Sequence, residues 1–236
     1  MTKTFDPRGI DQSWLERLQQ NNEQQGYVLT ECDYWQRGGE EDLAFLYSSE
    51  SLTLISCSPE IRDLVAHHKP ETLEQIISLT GREDLEVYID DLDYYLTQAP
   101  VPIVARPDVE VRELTLDMHR KELQAFVECC SEDELLKADM GLDCDYFYAA
   151  YCEGQMAGLL ASYCGVEPFE ALSVLVKPEF RGRAVGQQLL QTLIQATTAR
   201  GRIIRYRTNA ENGASIRLCE SMGFTQHSRI QLLARL

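Results

Sequence analysis

Apolar positions along this chain repeat with two periods, and each change of period marks a change of element. Ile10, Trp14, Leu15 and Leu18 stand at helical spacing within residues 9 to 25, with Gly26 as a stop. Asp42 to Tyr47 and Leu52 to Cys57 read as two strands, joined by Ser48-Ser49-Glu50-Ser51 as a four-residue loop. Ser58-Pro59 predicts a helix start, a capping residue followed by proline at the first helical position, with Ile61, Leu64 and Val65 on one face. Leu73, Ile76, Ile77 and Leu79 predict a further helix that Gly81 ends. Glu83 to Leu96 interleaves acids with Tyr88, Tyr94 and Tyr95; it reads as a strand running into a short helix, a solvated acidic face with its aromatics turned inward.

Prolines at positions 100, 102 and 107 then break the pattern. Proline lacks the backbone donor and holds its predecessor extended, so the chain divides near residue 104 into a smaller α+β domain, 1–104, and a second domain, 105–236. The first part carries no catalytic motif. In the second, Val109 to Leu114 alternates as a strand, Leu116 to Glu128 is helical through Leu123, Phe126 and Val127, and another helix runs over Glu132 to Met140. Asp145 to Cys152 and Met156 to Cys164 form a hairpin about Glu153-Gly154, and Phe169 to Val176 is the next strand. Val185, Leu189, Leu190, Leu193 and Ile194 mark the buried stripe of a helix that closes at Arg200-Gly201. Arg202 to Asn209 is a strand; after Asn212-Gly213, Ser215, Leu218, Cys219 and Met222 share a helical face that Gly223-Phe224 ends; Gln226 to Ala234 is a last strand.

Composition narrows the class. The 236 residues are 44% apolar and 25% charged, ordinary for a globular protein. No run of about 18 apolar residues occurs and the N-terminus has no apolar signal stretch, so neither a membrane span nor export is expected and the reading is cytoplasmic. Eight cysteines without a CxxC, and four histidines without ligand spacing, give no metal site; reduced thiols are expected, with Cys129-Cys130 the only close pair. The net charge of −16 is uneven: residues 1–100 hold 20 acidic and 7 basic side chains, whereas 170–236 hold ten basic and four acidic. A basic C-terminal third suits a polyanionic ligand, and an acidic remainder attracts amines and repels nucleic acid.

The candidate chemistry sits where strand 169–176 turns into helix 185–200. There Arg181-Gly182-Arg183-Ala184-Val185-Gly186 follows Pro178 and opens the helix. The first N–H groups of a helix have no intrahelical partner, the macrodipole there is positive, and glycine lets an anion approach the backbone. Arg181 and Arg183 add fork-shaped cationic donors. The lysine-bearing ending of a P-loop and the spaced glycines of a dinucleotide turn are both absent.

This loop resembles the pyrophosphate-binding signature of the GCN5-related N-acetyltransferases: Gln or Arg, two residues, Gly, any residue, then Gly or Ala. Arg181 and Gly186 match its ends, and Ala184 stands at the first Gly. At positive φ that alanine would cost about 1 kcal/mol; at negative φ, little. A second family motif, N-x-x-A-x-x-L-Y-x-x-x-G-F, is similar to Asn212 through Phe224, with Ser215 replacing Ala and Cys219 replacing Tyr. The order of elements from 106 to 236 is also that of the family.

The resemblance implies an α/β (α+β) acyltransferase fold, a mixed central sheet with helices on both faces, preceded by the smaller α+β domain. It implies transfer of an acetyl group from acetyl-CoA to a primary amine of a small molecule or peptide, possibly cationic. Val174, Leu175 and Val176 would line the pantetheine between two splayed strands, Arg181, Gly182, Arg183, Ala184, Val185 and Gly186 would hold the pyrophosphate, and Asn212 would contact the arm. A strand N–H would polarise the thioester carbonyl. The family's catalytic Glu and Tyr fall on Arg207 and Cys219, so no catalytic residue is assigned; Glu170, Tyr206 and Tyr163 stay open as substitutes. The alternative is a catalytically silent acyl-CoA-binding regulatory module, and a third reading is nucleotide binding at the loop.

Overall fold

The computed structural model describes residues 7–18, 26–37, 39–96, 99–165 and 167–236, which form two compact units. Of the described residues, one comprises those within 95–207 and 213–225; the other comprises those within 7–94, 208–212 and 226–236.

In the N-terminal unit, α1 (Pro7–Arg17) buries Ile10, Trp14 and Leu15, and Trp14 stacks on Phe45 at 5.6 Å between ring centroids. The part of the predicted helix beyond residue 18 lies outside the described residues up to Gly26, and Gly26 opens β1 (Gly26–Leu29) rather than closing a helix. The hairpin β2 (Asp42–Ser49) and β3 (Leu52–Cys57) is tighter than its sequence suggests: Ser48 pairs with Thr53, so two residues, not four, make the loop. Ser49 Oγ accepts the N–H groups of Ser51 and Leu52, doing locally what a longer loop would do with solvent. Helices α2 (Pro59–His68) and α3 (Leu73–Thr80) follow, the latter ending at left-handed Gly81 as expected. Glu83 to Leu96 contains no helix; it is one long strand, β4 (Leu85–Tyr95), whose first five residues alternate between more and less exposed positions and whose aromatic end, Tyr94 and Tyr95, is buried.

The C-terminal unit runs β5 (Glu110–Leu114), α4 (Leu116–Glu128), α5 (Glu132–Ala138), β6 (Tyr146–Cys152), β7 (Gln155–Tyr163), β8 (Phe169–Val176), α6 (Val185–Ala199), β9 (Ile203–Asn209) and α7 (Gly213–Ser221), each at the place its periodicity predicts. The last strand, β10 (Thr225–Arg235), is antiparallel to β2 and lies in the N-terminal unit's sheet, whose order is β1-β3-β2-β10-β4. The other unit's order is β9-β8-β7-β6-β5, antiparallel except for β8 beside β9.

Helices cover both faces of that mixed sheet. Leu123 and Phe126 of α4 pack with Phe147, Ala149, Leu159 and Ala161 on one face. Val185, Leu189, Leu190, Leu193 and Ile194 of α6 are buried against β6, β7 and β8 on the other. The hairpin turn Glu153-Gly154 has both residues at positive φ, 52° and 78°, the geometry that matches strand twist in a two-residue loop.

Candidate active site

The parallel pair β8–β9 is joined only at its start. Phe169, Glu170 and Ala171 pair with Ile203, Ile204 and Arg205, and the pairing goes no further. Lys177 N–H donates to Ala157 O at 2.9 Å, in register with Leu175 opposite Leu159. The amides of alternate residues therefore face β7, and those of Leu172, Val174 and Val176 face the side where β9 has parted. Val174, Leu175 and Val176 are accordingly half-buried although they lie in a central strand.

Beyond Val176 the chain makes a short 3-10 turn, Pro178–Phe180, and enters the loop. Gly182 has φ 75° and Ala184 φ 62°, ψ 13°, so the alanine occupies the left-handed conformation as N-cap of α6. Among the described residues no acceptor takes the backbone N–H of Gly182, Arg183, Ala184, Val185 or Gly186; the first helical bond at this end is Gln188 N–H to Ala184 O, 3.0 Å. Five successive donors at the positive end of a fifteen-residue helix make an anion cradle. Gly186 has a packing reason as well: a Cβ there would lie 3.1 Å from Leu218 of α7, so its absence lets the two helices close together.

Arg181 is held from two sides. Its Nε donates to Val176 O at 3.0 Å and its Nη2 to Glu134 Oε1 at 2.6 Å. Glu134 is in turn the third helical residue of α5, where it completes a capping box with Ser131. The Ser131 N–H, first, and Arg181, second, hold the Glu134 carboxyl below its usual range. Arg183 lies over Phe180 at 5.5 Å and 3.7 Å from Glu153. Asn212 sits in the turn before α7, its N–H on Asn209 O at 3.0 Å, within the 208–212 segment of the N-terminal unit.

The three residues open as proton carriers are told apart by their surroundings. Glu170 is fully buried; it accepts from Ser162 Oγ at 2.8 Å and is salt-bridged to Arg200, which also reaches Tyr148. Tyr206 is 1% exposed with its hydroxyl 3.0 Å from Ser215 Oγ, and burial pushes its pKa up. Tyr163 is partly exposed at the end of β7, and burial raises it too. Cys219 is fully buried, donates to Ile216 O at 3.2 Å, and burial pushes its thiol up to about 12.

Beside α5 an open depression of about 660 Å3 is lined by Glu132, Asp133, Asp139 and Asp143 together with Leu135, Leu136 and Met140. Ser173 Oγ of β8 donates to Asp139 O at 2.7 Å, tying its rim to the splayed strand. Sequence reasoning missed this depression, because its acids are spread over a helix and a loop. It also missed Gly158 on β7, where a Cβ would lie 3.1 Å from both Leu175 O and Val185; a glycine inside an apolar strand was the available signal. Among the described residues no group of side chains could hold a metal, and no helix is long and apolar enough to cross a membrane.

These elements define a class of mixed-sheet α/β domain in which one parallel strand pair parts beside the start of a helix. Residues 143–226 match the family model described as acetyltransferase (GNAT) domain. No curated protein matches the chain. Among solved structures it is similar to an acetyltransferase of the GNAT family from Novosphingobium aromaticivorans, at 23% identity over 65% of this chain and 69% of that one, TM-score 0.48. A GCN5-related N-acetyltransferase from Sphaerobacter thermophilus gives 17% identity over 83% and 61%, TM-score 0.49, so less than two thirds of that protein's length is spanned. An aminoglycoside N-acetyltransferase in complex with CoA gives 21% identity over 50% and 92%, TM-score 0.37.

Proposed function

We propose that this protein transfers an acetyl group from acetyl-CoA to a primary amine, and that the amine is cationic. The observation that carries the reading is the row of five N–H donors without acceptors, Gly182 to Gly186, at the start of α6 beside the parted strands. These donors and Arg181 suit a diphosphate, and the open edge at Val174 and Val176 suits the amide-bearing arm of pantetheine. The coenzyme supplies the activated acetyl group. The chain's own part is to hold the diphosphate on the loop, to orient the arm along β8, and to offer the Val174 N–H to the thioester oxygen, a donor fixed before the reaction begins. The acids of the α5 depression favour a positively charged acceptor and exclude anionic ones.

A second reading, a silent acyl-CoA-binding module, is favoured by one feature: Cys219 is buried and bonded to its own helix, and Glu170 is taken up by Arg200. Thiol release from acetyl-CoA across a panel of polyamines, aminoglycosides and lysine peptides separates the two. Turnover with cationic amines supports the enzyme, CoA binding without turnover supports the silent module, and absence of any CoA binding sinks both. Arg181→Ala is expected to weaken CoA binding about tenfold, the loss of one charge-assisted contact.

A further inference from the structure

The turn between α4 and α5 holds adjacent thiols that the proposed reaction does not use. Cys129 is the C-cap of α4, with φ −78° and ψ −15°, its N–H on the carbonyls of Phe126 and Val127, and its side chain exposed. Cys130 is half-buried against the core under α4, its Sγ donating to Phe126 O at 3.3 Å and its N–H to Val127 O at 3.0 Å. Lys177, whose Nζ lies 5.5 Å from the Phe126 ring centroid, and Arg181 are the cations facing Cys130, and Glu134 is the acid.

The next residue, Ser131, is where α5 begins. Its N–H donates to Glu134 Oε2 at 3.2 Å, and its Oγ accepts the Glu134 N–H at 3.3 Å. Helix α5 has seven residues and none is fully buried; Leu135 and Ala138 pack partly against the core, and the cap holds the start of its first turn. The same Glu134 holds Arg181. Any rotation of the peptide between the two cysteines is passed directly to this cap.

We propose that Cys129 and Cys130 form a redox site, in which a peroxide closes the two thiols into a vicinal disulfide and releases the α5 cap that holds Glu134 against Arg181. Cys129, the exposed thiol, attacks the peroxide; one oxygen transfers to sulfur to give a sulfenic acid, and water leaves when the oxidant is hydrogen peroxide. The Cys130 sulfur then displaces the sulfenic oxygen, which departs with the remaining proton as a second water. Two thiols lose two electrons and two hydrogens, and the peroxide is reduced. Ring closure demands a sulfur–sulfur separation of about 2 Å, and Cys130 Sγ is at present turned to Phe126 O, so the segment between the two cysteines must turn to allow it. Closure therefore removes the Cys130 N–H from Val127 O and moves Ser131. This proposal is independent of acetyl transfer.

The experiment treats the reduced full-length protein with hydrogen peroxide and follows two readouts. Peptide mass spectrometry is expected to show loss of two hydrogens in the peptide bearing Cys129 and Cys130, reversed by a dithiol. Hydrogen–deuterium exchange over 132–138 is expected to accelerate about threefold or more in the oxidised protein. Cys129→Ser, at the exposed thiol, and Cys130→Ser, at the half-buried one, should each abolish both effects. A peptide that instead gains oxygens at Cys129 without losing hydrogens overturns the site. Closure with unchanged exchange in α5 overturns the release of the cap.

Discussion

Arg181 and Glu134 are joined at 2.6 Å, so the side chain best placed to meet a diphosphate is already engaged by the first turn of α5. A ligand anion must compete with that carboxylate. Glu134→Gln removes the competing charge yet keeps a side chain that completes the capping box. Its expected effect is CoA binding tightened about two- to fivefold, the range of an exposed ion pair, by titration calorimetry. Weaker binding would mean that Glu134 instead presents Arg181 to the ligand.

Ala184 makes a second test. At φ 62° its methyl is strained, and glycine at this position needs no such distortion. Ala184→Gly is expected to stabilise the fold by about 0.5–1 kcal/mol in urea unfolding, the relief of strain exceeding the added freedom of the unfolded chain. Ala184→Val, β-branched at the same φ, should destabilise it by about 1–2 kcal/mol. If glycine brings no gain, the strain assigned to this N-cap is wrong.

Glu170 and Arg200 form a pair in which the carboxylate has no solvent at all. Glu170→Ala leaves a largely buried guanidinium uncompensated and should cost about 3 kcal/mol in chemical denaturation. Glu170→Gln, which still accepts from Ser162, should cost less. A loss below about 1 kcal/mol for the alanine variant would return Glu170 to the candidates for proton transfer.

The N-terminal unit carries a pH-dependent contribution of its own. Burial works against the charge on Asp11, but hydrogen bonds from His227, Ser51 and Tyr47 outweigh it and hold the carboxyl below its ordinary 3.8. A depressed carboxylate contributes stability that is present above the unfolded value and lost as pH falls through the folded one. Unfolding free energy measured from about pH 6 down to about pH 3 should therefore decline at the acid end, and Asp11→Asn should flatten that decline while lowering stability at neutral pH. An unchanged acid slope in the variant would assign the loss to other groups.

Helix and strand positions in the C-terminal unit were legible from one-dimensional pattern alone, because burial on one face writes a period of about 3.6 or 2 into the residues themselves. Val185 to Ile194 shows this plainly. The turn at Arg181 to Gly186 was equally readable as a helix start, since a cap needs local geometry only. Where pattern misled, a local signal was outweighed by pairing. Acids in Glu83 to Leu96 suggested a helical end that pairing in the sheet overrode, and Ser49 shortened a hairpin loop by supplying its own acceptor.

What only the tertiary structure decided was which groups remain available. Whether Ala184 takes positive φ, whether Glu170 is free or bound by Arg200, and that Arg181 is shared with Glu134 from a helix 47 residues earlier all depend on contacts between distant segments. Sequence records the chemical types a chain carries and the faces they share within one element. The partner that ties up a charge is set by how elements pack, and no spacing along the chain encodes it.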